Sequence, residues 1–288
     1  MSRPDRMPPL VETDPRRMRD AVLAAQHAGR RVGFVPTMGA LHRGHASLVE
    51  RAARDCDEVV VSIFVNPTQF GPGEDYSRYP RTLDADLEIL AAAGAGRVFL
   101  PDAATAYPPG HATSVVVAAP AAGFEGAIRP GHFSGVATVV CWLFNVVPAD
   151  VAFFGAKDWQ QTVVVRRMVV DLAMPIAIEI CPTVREPDGL AMSSRNAYLS
   201  PDERRRAVAL HEGLLAAQRR WLEGARTAEV EEAIREALRS RDIVPDYAAV
   251  VDPESLGPPW PGAEAVALVA GRLGTTRLLD NLRLPPRS

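Results

Sequence analysis

The stretch Val35-Pro-Thr-Met-Gly-Ala-Leu-His-Arg-Gly-His45 decides the fold of this chain. A short run that ends in Phe34 precedes it, and a helix-like segment over residues 46–54 follows it. An apolar strand, a turn rich in proline and glycine, and then a helix form a strand-turn-helix pattern. This stretch, called the signature below, therefore predicts that residues 42–45 lie at the N-terminus of a helix.

Such a helix end is suited to binding an anion. Its first backbone N–H groups have no intrahelical acceptor, and the helix dipole is positive there. Gly44 has no side chain that would keep a phosphate away from the backbone. His42 and His45 are three residues apart, so both imidazoles share one helix face and can donate hydrogen bonds to phosphate oxygens at neutral pH.

Two other interpretations of the histidine pair stay open from the residues alone. The pair could belong to an ordinary capped helix start, or it could be half of a metal site. The zinc-protease helix pattern requires histidines four residues apart with a glutamate between them. The signature has neither feature, which argues against zinc.

The signature closely resembles the nucleotide-binding motif of the pantothenate synthetases. That family belongs to a wider group of adenylate-forming enzymes with a His-x-Gly-His motif, which includes the class I aminoacyl-tRNA synthetases. The resemblance implies that one continuous part of the signature binds ATP. These residues are Met38, Gly39, Ala40, Leu41, His42, Arg43, Gly44 and His45.

Composition narrows the class of protein. With 288 residues, of which 47% are hydrophobic, the chain can bury a large core in one large or two smaller domains. The net charge of −3 and the lack of a long basic block argue against a nucleic-acid partner. The longest apolar run, over residues 136–147, is too short to span a membrane and predicts a buried helix.

Cysteine usage and the first residues bear on localisation. Cys56, Cys141 and Cys181 are odd in number and far apart in apolar settings, as expected of buried thiols in a reducing compartment. Residues 1–9 lack the apolar core of a secretory signal and are expected to form a loose arm. We therefore expect a cytoplasmic protein.

Helix-like and strand-like segments alternate over the first two thirds of the chain. This alternation predicts a doubly wound, Rossmann-like α/β domain with a parallel sheet over residues 1–184. Within it, a short strand is expected at 114–118, and Asp84, Asp86 and Glu88 are expected on a solvent-exposed helix face. Helices and then consecutive strands predict a smaller α+β domain over residues 185–288, which we expect to act as a lid.

A loop rich in proline and glycine, at residues 66–76, follows the strand predicted over residues 58–65. Ligands of doubly wound sheets bind at the carboxyl ends of the strands, so this loop is placed to contact a ligand. Gln69 could also be a turn residue that faces water, and the residues alone favour that interpretation. The loop is similar to the Asn-Pro-x-Gln-Phe segment of the pantothenate synthetases, which implies that Gln69 contacts both pantoate and β-alanine.

A third segment, Gly155-Ala-Lys-Asp-Trp-Gln-Gln161, leads from a buried strand into a helix. A lysine there can neutralise phosphate oxygens, an aspartate can accept from a ribose hydroxyl, and Gln161 can reach an adjoining acid substrate. A surface lysine and a helix-start aspartate are the alternatives. The segment resembles the family's Gly-Glu-Lys-Asp motif, which implies ATP binding by Gly155, Ala156, Lys157 and Asp158, and pantoate binding by Gln161. Ala156 stands where the family usually has glutamate, so no role of that carboxylate carries over.

The polar segment over residues 182–196 is suited to a mobile loop. Ser193, Ser194 and Arg195 form a dense group of donors for a triphosphate. Met-Ser-Ser-Arg resembles the family's second nucleotide motif, which implies that Val184 and Met192 lie beside the adenine. His132 opens another family-like segment, and a helix-start role is favoured over catalysis for it.

Together the resemblances span most of residues 31–200 and imply an AMP-forming amide ligase. ATP, pantoate and β-alanine would give pantothenate, AMP and pyrophosphate through pantoyl adenylate, with His42, His45, Lys157 and Arg195 as the catalytic residues. They also imply Mg²⁺ with the nucleotide, no metal held by the protein alone, and a homodimer. Two alternatives stay open: a different nucleotidyltransferase, and a nucleotide-binding protein without turnover.

Overall fold

The structure is a computed structural model that describes residues 8–287. Its internal contacts divide the chain into two compact units. Unit 1 contains the described residues up to Gly155 together with Val164–Cys181. Unit 2 contains Ala156–Val163 and the described residues from Pro182 onward. The predicted boundary between residues 184 and 185 stays a prediction, and residues 1–7 of the expected N-terminal arm lie outside the described range.

Unit 1 is built on a six-stranded sheet in which all neighbouring strands are parallel. The strands are β1 (Leu10–Glu12), β2 (Val32–Thr37), β3 (Glu58–Ile63), β4 (Arg97–Phe99), β5 (Val151–Gly155) and β6 (Ala177–Cys181). Their spatial order is β1-β4-β3-β2-β5-β6, so the winding direction changes between β2 and β5. The predicted doubly wound, Rossmann-like sheet is confirmed, and the signature begins at its switch point.

Helices connect these strands. They are α1 (Pro15–His27), α2 (Arg43–Asp55), α3 (Leu83–Ala93), α4 (Ala103–Ala106), α5 (Ala118–Ala121), α6 (Glu125–Ile128), α7 (His132–Val146) and α8 (Trp159–Asp171). Local sequence sets several of their ends: Asp14 accepts from the Arg16 and Arg17 backbone at 2.7 and 3.1 Å and caps α1, and Gly94 ends α3 at φ 102°. The division between the units passes through α8, after Val163.

Both faces of the unit 1 sheet are covered. Phe34 and Val35 are neighbours in β2, yet they belong to different hydrophobic clusters because successive strand residues point to opposite faces. Phe154 and Phe153 in β5 are divided in the same way. Because both faces of the sheet are buried, the strand sequences are nearly continuous apolar runs.

Unit 2 packs helices against an antiparallel sheet. Besides the start of α8, its helices are α9 (Pro201–Arg206), α10 (Ala209–Leu222) and α11 (Thr227–Arg239). Its strands are β7 (Val244–Val251), β8 (Ala265–Leu273) and β9 (Thr276–Leu284), in the sheet order β7-β8-β9. Trp221, Leu214 and Ile234 are buried in its core. The predicted small α+β architecture is confirmed.

Several local predictions differ from the structure. No strand forms at 114–118 within the described chain, because Val115 donates to Thr138 Oγ1 of α7 at 2.9 Å and Val117 packs in the core beside α7. Strand β1 was not predicted, and its Leu10 and Val11 are largely exposed. Among the cysteines, Cys181 is buried as predicted, whereas Cys56 and Cys141 are only partly buried. No helix of the described chain is long and apolar enough to cross a membrane.

Candidate active site

The two histidines of the signature cap helix α2 reciprocally. His42 is the N-cap residue, and its Nδ1 accepts from the Gly44 backbone N–H at 3.1 Å. In return, His45 Nδ1 accepts from the His42 backbone N–H at 3.3 Å. The two rings lie with their centroids 4.1 Å apart.

These caps decide the tautomer of both rings. An Nδ1 that accepts a backbone hydrogen bond carries no proton, so each neutral imidazole carries its proton on Nε2. The cap also fixes the orientation of each ring relative to the positive end of α2. Each histidine therefore supplies an oriented Nε2–H donor of the kind that a negatively charged oxygen needs. Arg43, next to them, is exposed and forms an ion pair with Glu50 at 2.9 Å.

Asp86 anchors the turn that precedes α2. Its carboxylate accepts from the backbone N–H groups of Ala40 at 3.0 Å and Leu41 at 2.8 Å. Gly39 and Ala40 have positive φ angles of 80° and 50°, and a Cβ on Gly39 would lie 3.0 Å from Asp86 Oδ2. Asp86 is 1% exposed, so its predicted position on a solvent-exposed helix face is wrong. It faces inward because the signature turn supplies two backbone donors to its carboxylate.

Gln69 is held in a buried polar cluster near the start of the loop that follows β3. It lies in a short 3₁₀ helix, Pro67–Gln69, that Asn66 caps. Asn66 Nδ2 donates to Gln69 Oε1 at 3.1 Å, and Gln69 Nε2 lies 3.2 Å from Met38 Sδ. Gln69 is 9% exposed, so the interpretation as a water-facing turn residue is excluded. The Met38 contact brings the Gln69 amide next to the signature.

A charged network supports the backbone of Gln69. His132 Nδ1 lies 2.9 Å from the Gln69 carbonyl oxygen, and His132 Nε2 lies 3.0 Å from Arg129 Nη1. Arg129 also forms an ion pair with Glu74 at 2.6 Å. Burial, followed by the charge of Arg129, lowers the pKa of His132 from 6.5 to about 4. His132 is therefore neutral at pH 7; it donates from Nδ1 to the carbonyl and accepts from the guanidinium at Nε2.

In unit 2, Lys157 lies in a 3₁₀ turn, Ala156–Asp158, that leads into α8. The Lys157 side chain is partly buried, with Nζ 3.5 Å from Asp158 Oδ1. Asn281 of β9 donates through Nδ2 to the carbonyl oxygens of Ala156 at 2.8 Å and Lys157 at 2.7 Å. Gln161 follows within α8 and is partly buried. The backbone of the lysine turn is thus fixed by a strand near the end of the chain.

The segment with the serine pair is also built within unit 2. Met192 N donates to Val184 O at 3.0 Å, and Arg185 pairs with Ala191 in an isolated antiparallel bridge, so residues 184–192 form a small hairpin. Ser193 then caps a 3₁₀ helix, Ser194–Tyr198, that contains Arg195. Ser193, Ser194 and Arg195 are all partly buried. The predicted donors, Ser193, Ser194 and Arg195, come directly after this hairpin in the sequence.

Comparison with known proteins places this geometry in a family. A family model described as Pantoate-beta-alanine ligase matches residues 11–283. The chain belongs to this family. It is 53% identical over 264 residues to a pantothenate synthetase of Roseiflexus castenholzii, which covers 91% of this chain and 94% of the relative. The predicted family and the enzyme class, a ligase that forms an amide bond, are confirmed.

Solved structures agree with this assignment. The crystal structure of a pantothenate synthetase from Thermus thermophilus superposes with a TM-score of 0.91 at 50% identity, over 96% of this chain and 100% of that one. A pantoate-beta-alanine ligase from Francisella tularensis, crystallised with beta-gamma ATP and beta-alanine, gives a TM-score of 0.79 at 32% identity. The match covers 95% of this chain and 97% of that one.

The structure also shows residues of the site regions that the sequence reasoning missed. They are Asn66, Asp86, Asp280 and Asn281, all of them buried polar side chains. A signal existed for Asp86, since Leu90 and Ala93, four and seven residues further along α3, share its buried face. Asp280 and Asn281 lie between Leu279 and Leu282 in a strand that also contains Arg277 and Arg283, so no comparable signal marks them.

Proposed function

We propose that this chain joins pantoate to β-alanine in two steps, with pantoyl adenylate as the intermediate. Membership of the ligase family supports the overall reaction. The reciprocal histidine cap of α2 is the single observation that carries the first step. Two oriented Nε2–H donors at a positive helix end are matched to a phosphorus centre whose oxygens gain negative charge.

In the first step, a carboxylate oxygen of pantoate attacks the α-phosphorus of ATP. An O–P bond forms, the bond to the β-phosphate oxygen breaks, and pyrophosphate leaves with the electron pair. His42 and His45 donate to the oxygens at the α-phosphorus. Lys157 and Arg195 neutralise phosphate charge, and Ser193 and Ser194 donate hydrogen bonds to the triphosphate. The chain needs no nucleophile of its own, since positioning and charge stabilisation suffice.

In the second step, the β-alanine amine attacks the carbonyl carbon of the adenylate. A C–N bond forms, the C–O bond to AMP breaks, and the amine releases a proton. Gln69 and Gln161 hold pantoate, and Gln69 also contacts β-alanine. The ordering of the Gln69 amide by Asn66 supports this role, because a fixed amide presents its donor and its acceptor in known directions.

The remaining assignments concern the rest of the nucleotide. Asp158 accepts from the ribose hydroxyls, and Val184 and Met192 contact the adenine. The backbone of the signature and of Gly155 and Ala156 contacts the phosphates. Mg²⁺ enters with ATP as part of the substrate. Residues 8–287 contain no group of three or more His, Cys, Asp or Glu side chains placed to hold a metal ion.

One labelling experiment tests the two-step path. Pantoate labelled with ¹⁸O in its carboxylate is incubated with MgATP, β-alanine and the protein, and AMP is analysed by mass spectrometry. Because the attacking oxygen stays on phosphorus when the C–O bond breaks, the product AMP carries one ¹⁸O. Unlabelled AMP would exclude pantoyl adenylate.

The two alternatives predict different products. A different nucleotidyltransferase would release pyrophosphate with another nucleotide or acceptor, so a panel of nucleotides is assayed with and without pantoate. A binding protein without turnover would bind ATP and release no pyrophosphate. We expect AMP only when ATP, pantoate and β-alanine are all present.

We further propose a cytoplasmic homodimer. The family resemblance supports the dimer, and three unpaired cysteines support a reducing compartment. Light scattering coupled to size-exclusion chromatography would give about twice the 31.1 kDa mass of the chain. A mass of one chain would contradict the dimer.

A further inference from the structure

The side-chain amide of Asn281 in β9 binds two backbone carbonyl groups at once. Its Nδ2 donates to two consecutive backbone carbonyls, those of Ala156 and Lys157, at 2.8 and 2.7 Å. These partners lie 125 and 124 residues earlier in the chain. Asn281 is 5% exposed, so water does not substitute readily for either hydrogen bond. Both N–H groups of the amide are therefore committed to the turn that carries Lys157.

The preceding residue of β9 anchors the second donor segment. Asp280, 3% exposed, accepts from Arg185 Nη1 at 2.6 Å and from Nη2 at 3.0 Å. Arg185 Nη1 also donates to Gly189 O at 3.0 Å, across the hairpin that leads to Ser193. The two anchors are coupled, because Asn281 N donates to Asp280 Oδ1 at 2.8 Å and Arg185 Nη2 donates to Asn281 O at 3.2 Å.

The strand beneath these anchors is well supported. β9 pairs with β8 from Thr276 to Leu284, with Asp280 opposite Val269 and Asn281 opposite Leu268. β9 is the edge strand of the sheet β7-β8-β9, but it pairs with β8 over its whole length and so gives a regular base for two segments that have little regular structure of their own. Asp280 and Asn281 thus connect the lysine turn and the serine segment to one regular element of unit 2.

We propose that Asn281 is a positioning residue for Lys157. A lysine side chain has four rotatable bonds, so the location of its ammonium depends first on where the backbone holds its Cα. A displacement of about 1 Å in a catalytic group can reduce a rate about 100-fold. Asparagine suits the position because one neutral nitrogen supplies both donors, whereas aspartate would place an oxygen against two carbonyl oxygens. This inference rests on the proposed role of Lys157 in adenylate formation.

A double-mutant cycle tests the inference. Pyrophosphate release with saturating ATP and pantoate is measured for the wild type, Asn281→Ala, Lys157→Ala and the double variant. We expect Asn281→Ala alone to slow release about 10- to 100-fold while the KM for pantoate stays unchanged. In the Lys157→Ala background the same substitution should have little further effect, because the group that it positions is already absent.

Two further variants separate positioning from stability. Leu278→Ala is the matched control: Leu278 is 5% exposed in the same strand and packs in the apolar core of unit 2, so this variant should lose stability and keep the wild-type rate below its unfolding temperature. Asn281→Asp should slow release at least as much as Asn281→Ala. If Asn281→Ala loses its cooperative thermal transition, Asn281→Ser, which keeps one donor, replaces it in both backgrounds.

The outcomes are distinguishable. A wild-type rate for Lys157→Ala would overturn the proposed role of the lysine, and the positioning role with it. A slow Lys157→Ala combined with a fast Asn281→Ala would overturn the positioning role alone, as would rate losses that multiply in the double variant. A slow Asn281→Ala whose effect disappears in the Lys157→Ala background supports it.

Discussion

The start of α2 in unit 1 and the lysine turn in unit 2 are held in place in opposite ways. At α2, His42 and His45 cap each other within four residues of sequence, so the two imidazoles and their caps are encoded together. The turn before them does have a remote anchor, Asp86 of α3. The turn of Lys157 takes its support from Asn281, more than a hundred residues later. The Gln69 loop combines both modes, with a local cap from Asn66 and a remote contact from His132.

This difference shows which part of the local geometry a short motif determines and which part requires the folded unit. A self-capping motif is expected to keep its local geometry wherever the strand-turn-helix unit forms. A turn that depends on a distant strand is correct only when the whole unit has folded. We therefore expect substitutions at α2 to act on chemistry, and substitutions at remote supports to act on chemistry and stability together.

The largest expected effect is at the start of α2, where the histidine caps are local in sequence. His45→Ala removes one Nε2–H donor and one reciprocal cap. We expect adenylate formation to slow about 100- to 1,000-fold, since loss of one donor to a developing oxyanion costs about 3 to 4 kcal/mol. Pyrophosphate release in a single turnover with pantoate measures this step without the amine.

The control for this variant lies on the same helix. Ser47 Oγ donates to Gly44 O at 2.7 Å, so Ser47→Ala also removes a hydrogen bond from the first turn of α2. It leaves both imidazoles in place and should retain nearly the wild-type rate. A near-normal rate for His45→Ala would refute the assignment of the histidine pair.

The second prediction concerns His132, the remote support of the Gln69 loop, and the pH dependence of stability that it causes. The pKa of His132 is lowered to about 4 in the folded protein, mainly by burial, whereas an unfolded histidine has a pKa near 6.5. Between these values the unfolded state binds a proton that the folded state does not, so stability falls as pH drops from 6.5 to 4. The full effect is at most about 3 kcal/mol, and it does not increase below pH 4.

Denaturant unfolding at several pH values checks this effect. We expect the difference in unfolding free energy between the wild type and His132→Asn to shrink as the pH falls through this window. His27→Asn, at an exposed position at the end of α1, serves as the control. A difference that is independent of pH would show that His132 is not held neutral in the folded state.

The third prediction concerns the anchor of the signature turn. Asp86→Ala leaves the N–H groups of Ala40 and Leu41 without their acceptor. We expect a loss of about 2 kcal/mol in stability, because unpaired buried donors cost roughly 1 to 3 kcal/mol, together with a higher KM for ATP. Asp84→Ala removes an exposed carboxylate from the same helix and should change neither. Equal effects of the two substitutions would contradict the anchoring role.

Much of the fold follows from local patterns in the sequence. The caps at Asp14 and Gly94 and the double-sided apolar strands indicated the order of the elements, and the parallel sheet followed from that order. Strand β1 escaped prediction because it has three residues and two largely exposed apolar side chains. The segment at 114–118 has the composition of a strand but packs beside α7, and only tertiary contacts decide between these outcomes.

The geometry of the candidate site was predictable to the extent that its residues make local contacts. The histidine pair and the glycine between its members could be found from a few consecutive residues of sequence. Helix periodicity could separate Asp86 from Asp84, because Leu90 and Ala93 share the buried face of Asp86. Its partners, the backbone N–H groups of Ala40 and Leu41, are known only from the fold. Asn281 could not be assigned at all, since nothing near it in sequence identifies Ala156 and Lys157 as its partners.

The smallest expected effect concerns Gln69, where local and remote supports meet. Gln69→Ala should raise the KM for pantoate about three- to tenfold with little change in the unfolding temperature, because a single neutral hydrogen bond contributes about 0.5 to 1.5 kcal/mol. Gln26→Ala is a matched control, since it removes an amide hydrogen bond to Pro148 O elsewhere in unit 1. His132→Asn keeps the Gln69 amide but alters the support of its backbone. If the effect comes from the lost amide, His132→Asn should raise the KM for pantoate less than Gln69→Ala does. A larger increase in His132→Asn than in Gln69→Ala would mean that the loop backbone, and not the amide, determines pantoate binding.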